Sequence, residues 1–145
     1  MVTFRWAAIG LAVVCLAGAG AHVLGDAESS FRDYRAAAVK SARAAHSALA
    51  AAELTGEAVL AKRVTSPYAE TRLSDSRTAL GGAADRLAGA ELPDERCEQM
   101  RAELRPLLAR ANVVLAVMES AVTEQNVADI EPVAEALAAF VRAHR

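Results

Sequence analysis

The chain has 145 residues, enough for one domain with a modest core, and about 120 residues remain once an N-terminal segment is set aside. Hydrophobic residues make up 54% of it, aromatic residues only 4%, and 36 positions are alanine, a composition that argues against a β-rich core and selects an all-α fold. The net charge is −2 with both signs interspersed along the chain, so no basic stripe for phosphate backbones stands out and nucleic acid is not an expected partner.

Residues 1–25 read as a membrane anchor or signal segment and residues 26–145 as a helical bundle. From Trp6 to Leu24 no side chain is formally charged, a run close to the roughly 20 apolar residues that cross a bilayer. Arg5 precedes the run and Asp26 and Glu28 follow it, an order that favours the N-terminus inside and the bundle outside the cytoplasm, against the weight of Arg32, Arg35, Lys40 and Arg43, which also lie near the membrane on the far side. Three readings of the stretch from Cys15 to Asp26 compete. Lipid attachment at Cys15 is disfavoured, because Ala12, Val13 and Val14 precede it and the apolar run continues beyond it. Ala17-Gly18-Ala19 and Ala19-Gly20-Ala21 fit the small-x-small pattern of a signal cleavage site. Length and flanks favour an uncleaved anchor, with a secreted bundle as the alternative. Gly10, Gly18 and Gly20 do not form a clean helix-pairing motif. Cys97 is the only cysteine of the expected bundle, and a buried, inert thiol is expected there.

Beyond Asp26 the apolar positions repeat as on helices. Phe31, Ala38, Ala45, Ala52 and Val59 stand seven apart, with Ala42, Leu49 and Gly56 between them, predicting a long first helix from about Ala27 to Arg63. Ser66 as cap and Pro67 at the first position open a second helix that ends near Ala88, with Leu73, Leu80 and Leu87 on its seam. Gly81-Gly82 in its middle costs about 2 kcal/mol relative to alanine, which predicts close packing against the alanine face of the first helix, with a hinge as the alternative. A third helix from about Pro93 to Val122 carries Leu104, Leu108, Ala111, Leu115, Met118 and Val122, with a kink expected at Pro106. Asp129 or Asn126 caps a fourth, with Ile130, Val133, Leu137 and Phe140 inward. Four striped helices on short links predict an antiparallel up-down four-helix bundle with a long first helix.

No catalytic or metal-binding constellation is predicted. The three histidines lack partners at ligand spacing, and neither HExxH, ExxH nor CxxCH occurs. For a non-covalent haem the only axial candidates are His46, Met100, Met118 and His144, and Met118 reads better as core. Asp94, Glu95 and Glu98 read as a helix-start cluster rather than a cation site, and Tyr68 beside Pro67 as a cover for the bundle end. Little lysine against much arginine suggests a bacterial chain of high-GC origin. In layout, an anchor followed by a four-helix bundle resembles the extracytoplasmic sensor regions of bacterial receptors, without a second membrane helix or an output domain. The expectation is a non-enzymatic, membrane-tethered protein that needs no cofactor and works through a protein partner or its own copies. The alternative is a bundle that binds a small ligand or haem.

Overall fold

The structure, a computed structural model, describes the backbone of residues 4–145 and the side chains of residue 28 and residues 30–145. The chain is an all-α bundle: α1 (Phe4–Leu60), α2 (Ser66–Ala88), α3 (Glu95–Ser120), a single turn and a half as α4 (Glu124–Ala128), and α5 (Ile130–Ala143). The expected anchor, residues 6–24, lies outside the residues whose side chains are described. Among the described residues no helix is long and apolar enough to cross a membrane.

One face of α1 organises the bundle. Ala38, Ala42, Ala45, Ala48 and Ala52 are buried along it with Tyr34, Ser41, Leu49 and Thr55, and every other helix rests on it. The larger side chains come from the partners: Leu73, Leu80 and Leu87 of α2, Leu104, Leu108, Leu115 and Met118 of α3, and Val133, Leu137 and Phe140 of α5. Arg96 near the start of α3 pairs with Glu28, and Met118 near its end faces Gly56, so α3 runs parallel to α1. α2 and α5 run the opposite way. α1 and α3 touch across the middle while α2 and α5 do not meet, so the cross-section is a rhombus rather than a square.

The helix ends differ in detail from those expected. Ser66 is already helical; Thr65 is the cap of α2 and makes no side-chain cap bond. α3 begins at Glu95, two residues after Pro93, because Asp94 takes an extended conformation and its carboxylate accepts from the backbone N–H of Cys97 at 3.0 Å. Pro106 sits on an exposed face inside α3, which is assigned as one helix through it. The expected fourth helix is two: Thr123 caps α4, accepting from the N–H of Asn126, and Asp129 links α4 to α5 without a side-chain cap bond.

The glycine pair overturns an expectation. Gly81 and Gly82 are exposed, and a Cβ on either meets nothing within 4 Å, so no close approach to α1 accounts for them. The glycine that does admit a neighbour is Gly56, where an added Cβ lies 2.6 Å from Val127 Cγ2 and 2.7 Å from Met118 Cε. α4 can rest on α1 because that position has no side chain.

Two hydroxyls, of Tyr34 and Ser41, are buried without a hydrogen-bond partner among the described residues. Thr55 and Ser76 avoid this by donating back to the carbonyls of Ala51 and Arg72.

Three outcomes follow for chemical denaturation. Gly81→Ala and Gly82→Ala each stabilise the protein by about 0.5–1 kcal/mol, through helix propensity alone. Gly56→Ala destabilises it, since overpacking of about 1–3 kcal/mol outweighs the same propensity gain. Ser41→Ala raises stability by about 1 kcal/mol, because it removes an unpaired buried hydroxyl.

Candidate functional site

The pairing of α1 with α5 gathers cations that stand far apart in the sequence. Arg32, Arg35, Lys40 and Arg43 project from α1, and Arg142 and Arg145 come from the end of α5 and the residues just past it, with His144 beside them. Two adjoining grooves share Arg43 and Arg145. One, of about 430 Å³, also holds His46, Ser47, Ala138, Val141 and Arg142; the other, of about 480 Å³, holds Arg32, Arg35, Ala36, Val39, Lys40 and His144. No carboxylate side chain lines either groove.

Local sequence explains why these cations stay unpaired. Helical neighbours lie three and four residues apart, and at those distances Arg35, Lys40, Arg43 and Arg142 find no Asp or Glu. They find one another instead: Arg32 with Arg35, Lys40 with Arg43, and Arg142 with Arg145 are like-charged pairs three residues apart. None of these six makes an ion pair among the described residues; the cross-helix contacts of carboxylates are those of Arg77 with Glu119, Arg96 with Glu28 and His144 with Glu103. The expectation of interspersed charge therefore fails at this face, because α5 returns its basic end to the basic stretch of α1. Around the helix, the groove at Tyr34 is lined by Asp33 and Glu91 with no basic residue, so charge at this end of the bundle is sorted by side.

The other candidates have structural duties. His144 places Nε2 3.0 Å from Glu103 Oε2 and stacks on Phe140 with ring centroids 4.4 Å apart. Met118 is fully buried at the level of Gly56, about 22 Å along α3 from Glu103, so it and His144 do not face each other. Met100 is core, and His46 lies in the cationic groove. Among the described residues no group of three or more His, Cys, Asp and Glu is placed to hold a metal ion. Of the acidic cluster, Asp94 caps α3 and also accepts from Arg96 at 2.7 and 3.0 Å, and Glu95 and Glu98 occupy the first turn. Arg96 in turn stacks its guanidinium 4.2 Å from the centroid of Phe31. Tyr68 is exposed rather than folded over the bundle end.

Cys97 is a free, fully buried thiol, and burial pushes its pKa up. The hydrogen bonds from Arg96 hold the Asp94 carboxyl below the usual carboxylate range.

Comparison with protein-family models, with curated proteins and with solved structures finds no match for this chain.

Two measurements check this geometry. Peptide-mapped alkylation of Cys97 is slow in the native protein and fast in denaturant, because a buried thiol of raised pKa reacts only on opening. The depressed Asp94 pKa stabilises the fold above the ordinary carboxylate range, and that contribution is lost as pH falls through the folded value. Asp94→Asn keeps a cap acceptor but not the charge, so the gap in melting temperature between wild type and variant narrows as pH drops from neutral to below 4.

Proposed function

We propose that the chain is a non-enzymatic, membrane-tethered helical bundle that acts by protein contact, as an accessory subunit or scaffold of an envelope complex. The reading has the apolar run of residues 6–24 as its tether and places the bundle outside the cytoplasm. The observation that carries it is an exposed apolar ridge on α3, where Val113 is 61% and Val117 42% exposed. Beside this ridge α3 and α5 leave a groove of about 410 Å³ lined by Ala109, Val114, Pro132 and Val133 along with Val113, with Arg110 and Asp129 at its edge. Valines four apart on a helix, next to an apolar groove and rimmed by charge, have the make-up of a contact surface.

A small-ligand or haem-binding bundle is the second reading. Its specific support is a groove of about 410 Å³ at the α1–α2 turn, lined by Met118, Val122, Leu73 and Val59, but Lys62, Glu70 and Glu119 share it and no histidine does. That composition offers haem one thioether and no imidazole.

The test is photo-crosslinking from positions 113 and 117 in native membranes, with intact mass measured on the same sample. The expected outcome is a full-length chain, resistant to carbonate extraction, crosslinked to one discrete partner, with Val117→Lys abolishing the crosslink from position 113, Val113→Lys abolishing the one from position 117, and neither lysine changing the melting temperature. Absence of any crosslink from either position overturns the contact reading. A mass short by the first nineteen or twenty-one residues removes the tether.

A further inference from the structure

We propose that the cationic groove between α1 and α5 binds the phosphate-bearing headgroup of an anionic phospholipid. The inference rests on the reading of residues 6–24 as a membrane anchor, and it names what the bundle meets at the foot of that anchor.

The charge pattern calls for an external partner. Three like-charged pairs, Arg32 with Arg35, Lys40 with Arg43 and Arg142 with Arg145, weaken their helices; none of the six is in an ion pair among the described residues, and only Arg32 has a carboxylate, Glu28, one turn away. A helix C-terminus favours Arg142 and Arg145, but the cations of α1 lie in mid-helix, where no dipole compensates them. Arg32, Arg35 and Arg43 of α1, with Arg142 and with Arg145 closing both grooves, present planar forks that suit phosphate oxygens, and Lys40 adds a point charge. Between them Ala36, Val39, Ala138 and Val141 supply apolar wall, the lining an amphiphile needs and a free anion does not.

Position selects the lipid over other polyanions. α1 is one element from Phe4 to Leu60, so the groove is rigidly joined to the apolar run. Arg32 and Arg35 follow Leu24 by about 12 and 17 Å along the helix. The polar layer of a leaflet is about 5–8 Å deep, and charge is felt for about a further 8 Å in physiological salt. The near end of the groove, formed by Arg32, Arg35, His144 and Arg145, therefore stands just beyond the headgroup layer, where its long side chains reach toward the phosphates and the charge of the layer is still felt. Lys40 and Arg43, about 24 and 29 Å along, come within reach as the bundle leans toward its α1/α5 side. Asp33 and Glu91, around the helix from the cations, oppose a lean the other way.

The test uses the full-length chain in neutral detergent, titrated with short-chain phosphatidylglycerol, short-chain phosphatidylcholine and inorganic phosphate, and read by thermal unfolding and native mass spectrometry. Phosphatidylglycerol is expected to bind saturably and at least about tenfold tighter than phosphatidylcholine at moderate salt, with the preference shrinking as salt rises. Arg32→Gln/Arg35→Gln/Arg145→Gln is expected to lose the preference without a fall in melting temperature, since the cations it removes repel one another. Equal binding of the two lipids, or an unchanged preference in the variant, overturns the proposal. Inorganic phosphate bound as tightly as phosphatidylglycerol overturns the lipid assignment. Carbonate extraction of membranes judges the anchor separately: a chain that is released yet still prefers phosphatidylglycerol keeps the groove and removes the anchor.

Discussion

The bundle depends on the small side chains along the inner face of α1. Alanine at positions 38, 42, 45, 48 and 52 lets neighbouring backbones come close, so one helix serves as a shared wall for α2, α3 and α5 together. The apolar volume is then supplied from outside in, by leucines, methionines and a phenylalanine on the helices that rest against it. Dense packing follows from this division between a smooth wall and bulky partners. It also explains the rhombic cross-section: with α1 thin on its inner side, α3 reaches it across the middle and leaves α2 and α5 apart.

Much of this arrangement is legible in the sequence because an amphipathic helix repeats in steps of three and four. On α2 the buried residues Ala69, Leu73, Ser76, Leu80, Ala83 and Leu87 follow that step without exception, and the α3 and α5 seams read as clearly. End effects are less legible. Thr65 rather than Ser66 precedes α2, and the Thr123 cap that starts α4 looks like any polar residue in a link until the fold shows which N–H it accepts from. Gly81-Gly82 was misread for a physical reason: a glycine signals either a close neighbour or none, and local sequence carries no information on which. Gly56, part of a regular seam, gave no sign that Val127 of a later helix would occupy its missing side chain.

The cationic groove was the least legible feature. A net charge of −2 averages over the chain, whereas the groove forms from residues 32–43 and 142–145, which meet only after three reversals. The spacing did hold a partial signal, since three pairs of cations stand three apart with no carboxylate in reach of most of them. Recognising the missing partner on each helix separately would have marked both halves of the site before the fold joined them.

The continuity of α1 has a further consequence, one of rotational phase. A helix turns about 100° and rises 1.5 Å per residue, so the compass direction of the α1/α5 face is set by how many residues separate it from the apolar run. One residue inserted before position 28 swings that face about a quarter-turn around the helix axis, whereas seven return it nearly to where it began, lifted by about 10 Å. Orientation and distance relative to the apolar run become separately adjustable quantities, written in the length of a single helix.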